Sequence, residues 1–319
     1  MDPVCHTLVG AAIGETGLKH RSRLGLATLV IAANLPDIDV LSSVAGPVTA
    51  LGFRRGWTHG ATAILLLPLA LAGLVMLWDR LGRVRHPSLD PVRPKQLVLL
   101  AYVGMITHPT LDFMNVYGMR WLMPFVDRWR YGDVLFIIDP WIWAALAAGV
   151  YLSRRRWREE SPTSGRPAVA ALAGVAAYIG LMSVAGSAAR RMVIAELPRY
   201  GVSASARLMV APVPIDPFRR LIVVEDSSGY RFGTFRWLST PRIDIQNTHI
   251  PRNDHLSAAL RAAATERGRT FLRWARFPFF VVSPAADSPV YIVDARYTLD
   301  ENAGFGAVLI GDWRVENGN

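Results

Sequence analysis

The chain has 319 residues, of which 51% are hydrophobic and only 19% are charged, with a formal net charge of +10. So small a charged fraction is unusual for a soluble domain, and the apolar residues are concentrated before about Gly186. The arginines cluster between apolar runs, as the flanks of membrane helices do, so no nucleic-acid partner is expected. The single cysteine, Cys5, excludes an internal disulfide framework and a cysteine-rich zinc site.

Six apolar segments predict a polytopic α-helical membrane bundle with about five or six membrane segments. The first is short for a span, and its Gly10 and Gly14 permit close helix packing. The second contains a Pro-Asp-x-Asp sequence, and the fifth is interrupted early by Asp139-Pro140. The segments are Val4–Leu18, Leu24–Val44, Ala61–Trp78, Leu97–Met114, Val134–Leu152 and Ala168–Gly186.

After the last apolar segment the composition becomes that of a soluble, mainly β domain. The predicted boundary separates a transmembrane domain, residues 1–187, from residues 188–319. Runs rich in β-branched and aromatic residues, with turns between them, predict strands, and Leu256–Arg273 is predicted as one helix. The predicted strands are Arg220–Glu225, Tyr230–Trp237, Phe279–Ser283, Val290–Tyr297 and Ala307–Trp313, with a strand entry at residues 210–214.

Positive charges in the connections predict the orientation of the bundle. Residues 19–23, 79–95 and 153–166 hold thirteen Lys and Arg, whereas the alternate connections, 53–58 and 115–133, hold five. The positive-inside rule places the first set in the cytoplasm, in a bacterial inner membrane. The C-terminal domain is then expected in the periplasm.

Seven ionisable residues fall at the same, outer end of the predicted segments, although the charge count used none of them. Ionisable side chains at such depth are costly and are normally buried, paired or bound to a cation. Pro36 disfavours helix at the residue before it, so irregular backbone is expected beside Asp37 and Asp39. Irregular backbone at membrane depth is tolerated mainly where it lines a cavity. The seven are His6, Asp37, Asp39, His59, His108, Asp112 and Asp139.

A set of histidines and aspartates is typical of a metal site. His108 and Asp112 are four residues apart, so they share a helix face if the helix continues through Pro109. Imidazole and carboxylate ligands favour zinc, with manganese and iron as alternatives, and carboxylate-rich sites can hold two metals. The predicted metal ligands are His6, Asp37, Asp39, His59, His108 and Asp112.

A divalent metal in this place can activate water for hydrolysis of an ester or a phosphodiester. Asp139 is predicted to activate the water or to support a histidine, with a helix N-cap as the simpler alternative. Asp37 is predicted to be catalytic as well as a ligand. Arg55 is predicted to stabilise an anionic substrate, and a headgroup contact is its alternative. Groups expected beside the ligands are Asn34, Thr58 and Asn115.

Four short motifs at these positions are shared with a known family. They are His6-Thr7 with Gly10 and Gly14, Asn34–Asp39, Arg55–His59, and His108–Asp112. The pattern resembles the YdjM family of bacterial inner-membrane proteins, which are regarded as metal-dependent hydrolases. The resemblance covers roughly residues 1–150 and implies a metal site but no established substrate. One departure is Gly60, where Ser is expected, which would remove a hydroxyl beside His59.

The predicted function is therefore that of an integral membrane metal-dependent hydrolase. Because the site lies near the outer leaflet, a membrane lipid or a lipid-linked phosphoester or ester is the expected substrate. Two alternatives remain open from the sequence. One is an ion-coupled transporter that uses intramembrane Asp and His, and the other is a membrane protein in which a metal serves only stability.

Overall fold

A computed structural model describes residues 1–282 and 289–310. The chain divides into two compact units, one formed by residues 1–41 and 53–185, and one by residues 42–52 and the chain from Gly186 onward. The first unit is helical, and the second contains two small antiparallel sheets. Two ends of predicted strands, Ser283 and residues 311–313, lie outside the described residues.

Helices account for the regular structure of the N-terminal region. Among the described residues, three helical segments are long and apolar enough to cross a membrane, namely Gly25–Ala45, Ala61–Arg85 and Arg166–Tyr200. The helices are α1 (Pro3–Glu15), α2 (Gly25–Asn34), α3 (Pro47–Phe53), α4 (Ala61–Arg85), α5 (Pro94–Phe113), α6 (Pro140–Arg158) and α7 (Arg166–Glu196), with 3₁₀ segments at Leu18–Arg21, Leu35–Ala45 and Leu197–Tyr200.

Helix α2 packs closely against both α1 and α5 because each of those helices presents a glycine to it. A Cβ atom added at Gly10 of α1 would lie 3.0 Å from the carbonyl oxygen of Leu29, and one at Gly104 of α5 would lie 2.7 Å from the same oxygen. Small residues permit such close approach between helix backbones, and a Cβ atom at either position would require a shift. The close packing brings the C-terminal end of α2 against α5, where the carbonyl oxygen of Ala33 meets the ring of His108.

Prolines affect three of the helices in different ways. Helix α2 ends at Asn34 and continues as a 3₁₀ segment through Pro36, which confirms the predicted break. Helix α5 continues through Pro109 to Phe113, so the condition for a shared face is met. Helix α6 begins only at Pro140, which favours the first helical position. The first six residues of the predicted segment Val134–Leu152 are therefore not helical.

The second unit contains a four-stranded and a three-stranded antiparallel sheet, with strand orders β1-β2-β3-β4 and β5-β6-β7. In the first sheet Val210 pairs with Ile222, and both side chains are buried with Phe235. The strands are β1 (Leu208–Pro212), β2 (Arg219–Glu225), β3 (Tyr230–Arg236), β4 (Ile243–Ile245), β5 (Pro278–Val282), β6 (Val290–Asp294) and β7 (Ala307–Ile310).

The prediction of one helix over Leu256–Arg273 is wrong. The chain forms two helices there, α8 (Ser257–Ala264) and α9 (Glu266–Trp274). Thr265 between them is extended, with φ −68° and ψ 157°, and its hydroxyl accepts a hydrogen bond from the backbone N–H of Gly268. Thr265 thus caps the second helix, and the apolar periodicity alone did not reveal the interruption.

Candidate metal centre

Four of the six predicted ligands converge in the first unit: Asp37, His59, His108 and Asp112. Each offers one ligand atom, and these atoms all lie within 4.8 Å of one another. Asp37 lies on the 3₁₀ segment after α2, His59 on the loop before α4, and the other two one turn apart on α5. The two histidines and Asp112 are fully buried, whereas the side chain of Asp37 is 25% exposed.

Hydrogen bonds fix the orientation of both imidazole rings. The Nδ1–H of His108 donates to the carbonyl oxygen of Ala33 at 2.6 Å. The hydroxyl of Thr58 donates to Asp39 Oδ2 at 3.2 Å, so it accepts from Nδ1 of His59 at 2.9 Å. Both rings therefore carry their proton on Nδ1 and direct an Nε2 lone pair into the centre, which is the arrangement of metal-bound histidines.

The positions of the two Nε2 atoms indicate whether these four side chains can hold a cation. They lie 3.1 Å apart, and each is also close to Asp112 Oδ2, at 3.3 Å for His59 and 3.5 Å for His108. Two lone pairs that face each other at this distance repel unless a positive charge lies among them. Two neutral imidazoles and two carboxylates are a common donor set for zinc, manganese or iron. The residues present fit a divalent metal.

Asp39 was predicted as a ligand, but the structure places it behind His59 and outside the converging group. Its Oδ2 accepts the backbone N–H of Arg55 at 2.8 Å and lies 3.4 Å from Nδ1 of His59. A carboxylate in this position orients the ring and increases the basicity of the ligating nitrogen. The predicted neighbour Thr58 has the same position, between His59 and Asp39.

His6 lies against the centre without being one of the four. Its ring stacks on that of His108, with centroids 3.7 Å apart, and its Nε2 is 3.3 Å from Asp112 Oδ1. The side chain is fully buried, and neither ring nitrogen forms a hydrogen bond within residues 1–282 and 289–310. A buried imidazole without partners is costly, and a ligand role beside Asp112 would satisfy it.

Arg55 is buried, and it contacts Asp112, one of the four converging side chains, rather than an open surface. Its Nε is 3.1 Å from Asp112 Oδ2, and its Nη2 donates to Oδ1 at 3.2 Å. Nη1 donates to the predicted neighbour Asn115 at 2.9 Å, and the guanidinium lies over the ring of Tyr117. The amino group of Met1 also bonds Asp112 Oδ1. The sequence indicated an anion-binding role for Arg55 but not that Asp112 is its partner.

Asp139 caps α6. Its Oδ1 accepts the backbone N–H groups of Trp141 and Ile142, at 3.0 and 3.2 Å, and its Oδ2 accepts the hydroxyl of Tyr178 at 3.0 Å. The simpler of its two predicted roles, the N-cap, is thus observed. Its predicted role in water activation stays a prediction.

Gly60 has a steric reason for departing from the expected serine. A Cβ atom there would lie 2.5 Å from the carbonyl oxygen of Met123 and 2.9 Å from that of Gly56. No side chain fits without a shift of the loop that carries His59. The hydroxyl beside that histidine comes instead from Thr58. Of the other expected neighbours, Asn34 bonds the hydroxyl of Thr7 and does not reach the centre through any hydrogen bond found in the described chain.

The family of YdjM inner membrane proteins matches residues 1–189, which is more than half of the chain and contains every residue of the centre. The chain belongs to the YdjM family. This confirms the resemblance seen in the four motifs. Family membership and the three long apolar helices indicate a multi-pass inner-membrane protein.

Two relatives are similar to this YdjM-family chain over part of its length. It is 24% identical over 158 residues to the uncharacterized protein YfhP of Bacillus subtilis, a match that covers 47% of this chain and 45% of YfhP. It is 29% identical over 129 residues to the inner membrane protein YbcI of Escherichia coli, which covers 40% of this chain and 65% of YbcI. The chain thus spans less than two thirds of either relative. No solved structure matches.

Proposed function

We propose that this chain is a metal-dependent hydrolase of the inner membrane that acts on a lipid or lipid-linked phosphoester or ester near the outer leaflet. The observation that carries the proposal is the convergence of two histidines and two aspartates within 4.8 Å. A divalent metal held by Asp37, His59, His108 and Asp112, with zinc favoured, would lower the pKa of a bound water and supply a nucleophile.

The four side chains differ in their access to water, and this supports a reactive rather than a purely structural centre. Asp37 is partly exposed, whereas the other three are buried. Water and substrate would therefore enter on the side of Asp37, and its carboxylate would accept a proton from the nucleophile. The buried Arg55 balances the negative charge of Asp112.

The surroundings of the exposed side favour a lipid substrate. Ile38 follows Asp37 directly, and Leu41 lies one 3₁₀ turn further on. Both are large apolar side chains that are about half exposed or more, as is Trp57, two residues before His59. Exposed apolar residues close in sequence to Asp37 and His59 suit a substrate with acyl or isoprenoid chains.

Hydrolysis is expected to depend on the metal and on Asp37. The protein, reconstituted in vesicles and loaded with zinc or manganese, should release phosphate or alcohol from one of a panel of lipid phosphomonoesters, phosphodiesters and esters. Asp37→Asn removes the proposed proton acceptor and one of the four proposed carboxylate and imidazole ligands, so turnover should fall roughly 100-fold or more. His255→Ala, a highly exposed histidine of the second unit, is the matched control. Equal turnover by Asp37→Asn or by chelator-treated protein would contradict the proposal.

The topology part of the proposal places the second unit in the periplasm. A cysteine at the exposed Ser227, in the turn between β2 and β3, should react with an impermeant maleimide in intact cells. One at the exposed Ser88, in the basic connection after α4, should react only after lysis. The native Cys5 is fully buried and should stay unlabelled in both. The reverse pattern would show that the orientation is inverted.

A further inference from the structure

A groove of about 640 Å³ runs along the C-terminal end of α4, in the basic part of the first unit. None of the metal-centre residues lines it. Its walls include one arginine from the connection before α2, the last turns of α4 and the turn that follows. The residues that line the groove include Arg23, Trp78, Leu81, Gly82, Arg85 and His86.

One wall of the groove is apolar and open. Trp78 is 73% exposed, and Leu81, one turn further along α4, is also largely exposed. Both belong to the segment Ala61–Arg85, which is long and apolar enough to cross a membrane. In a membrane this wall faces acyl chains, and a tryptophan near the end of a span is typical of the interface with the headgroups.

The end of the groove is cationic. The buried carboxylate of Asp79 bonds Arg23 and lies 3.0 Å from Nε of Arg83, so two guanidinium groups share one acid. Arg85 is exposed, and in the described chain it forms no ion pair. His86 adds an exposed imidazole ring at the same end. The groove therefore has more positive than negative charge next to its apolar wall.

We propose that this groove binds an anionic phospholipid of the leaflet on the positively charged side of the bundle. The acyl chains lie along Trp78 and Leu81, and the headgroup phosphate is held by Arg85 with Arg23 and His86 beside it. Basic pockets at the ends of membrane helices recognise acidic headgroups in this way. The proposal does not depend on the proposed hydrolase activity, because the groove and the metal centre have no residue in common.

Two glycines of α4 allow a matched test of the groove. A Cβ atom added at Gly82 or at Gly73 would meet no other atom within 4 Å, so the first atom of a side chain clashes at neither position. Leucine also favours helix over glycine. Gly82 lines the groove, and Gly73 does not. Gly82→Leu should fill the groove, and Gly73→Leu makes the same chemical change elsewhere on the same helix.

The experiment is native mass spectrometry of the full chain in detergent, titrated with phosphatidylglycerol or phosphatidylcholine. The wild type should retain phosphatidylglycerol in preference, and Arg85→Gln should weaken that binding about fivefold, the loss typical of one arginine at a membrane surface. Gly82→Leu should weaken it more, while Gly73→Leu should behave as wild type. Arg155→Gln, an exposed arginine paired with Glu159 on α6, controls for lost charge and should also have no effect.

Two outcomes would overturn the proposal. One is equal retention of the two lipids by the wild type, which would show that the groove is not selective for charge. The other is wild-type lipid binding by Gly82→Leu. If that variant also converts a dimer of the wild type to a monomer, the groove is an interface between two copies of the chain.

Discussion

Replacing His108 with alanine is expected to remove nearly all bound metal from the purified protein. The Nε2 of His108 faces the other three donors, and its orientation is fixed by the carbonyl oxygen of Ala33. Loss of a residue that only supports a ligand already costs about 10- to 100-fold in metal affinity, so loss of the ligand itself should cost more. Elemental analysis of detergent-solubilised protein, equilibrated with zinc and then desalted, measures the effect.

The matched control for this experiment is His255→Ala, because His255 is exposed in the second unit. It should retain the metal of the wild type. The metal content of Asp39→Asn should lie between that of His108→Ala and that of His255→Ala. This variant should retain metal at high zinc concentration but lose it to a weaker chelator, because Asp39 supports His59 without being one of the converging donors. Wild-type metal content in His108→Ala would refute the ligand assignment.

Asp112→Asn is expected to destabilise the protein strongly as well as to remove its metal. Asp112 is fully buried and is the ion-pair partner of the buried Arg55. Removal of one member of a buried ion pair leaves the other charge unpaired and typically costs about 3–5 kcal/mol in the free energy of unfolding. Thermal unfolding of the detergent-solubilised protein, followed by tryptophan fluorescence, should show a large decrease in Tm.

A second variant separates the two effects of this substitution. Asp112→Asn leaves both Arg55 and the amino group of Met1 without their carboxylate partner. Arg55→Met in the Asp112→Asn background removes one of these two charges, so part of the lost Tm should return. The metal should not return, because the carboxylate ligand is still absent. If the double variant is as unstable as Asp112→Asn, the ion pair with Arg55 does not explain the destabilisation. If Asp112→Asn alone keeps its metal, Asp112 is not a ligand.

The sequence predicted the convergence of the centre from two features. The positive-inside count assigned the helix ends, and the ionisable residues then fell at one end without having been used in the count. The spacing of His108 and Asp112 predicted their shared face, which the structure confirms because α5 continues through Pro109. Both features depend on chain order and residue type, which a sequence contains.

The different roles of Asp37, a converging donor, and Asp39, which supports His59, could not be predicted in the same way. The two residues are separated by one position on a segment whose helix type was unknown, and the sequence shows only that the regular helix is disturbed at Pro36. In the 3₁₀ form Asp37 lies near the Nε2 atoms of both histidines, whereas Asp39 contacts Thr58 and lies near Nδ1 of His59. Side-chain direction depends on the helix type, and it therefore required coordinates.

Arg55 and Asp139 show which residue roles the sequence could predict and which it could not. The guanidinium of Arg55 is suited to bind an anionic substrate, as the sequence indicated. The sequence does not reveal that its partner is Asp112, a carboxylate 57 residues away. For Asp139, the Asp-Pro sequence did indicate an N-cap, because that role is local in the chain. Local roles could be predicted, whereas roles that depend on distant partners could not.

The separation of the ligands along the chain has a mechanical consequence. His59 and His108 are 49 residues apart, yet their Nε2 atoms are 3.1 Å apart. An ion bound by both closes a long chain loop as a disulfide does, and for a loop of this length the cross-link would lower the entropy of the unfolded chain by an amount equivalent to about 4 kcal/mol. The metal would thus cross-link the loop before α4 to α5, and its removal should lower the stability of the first unit.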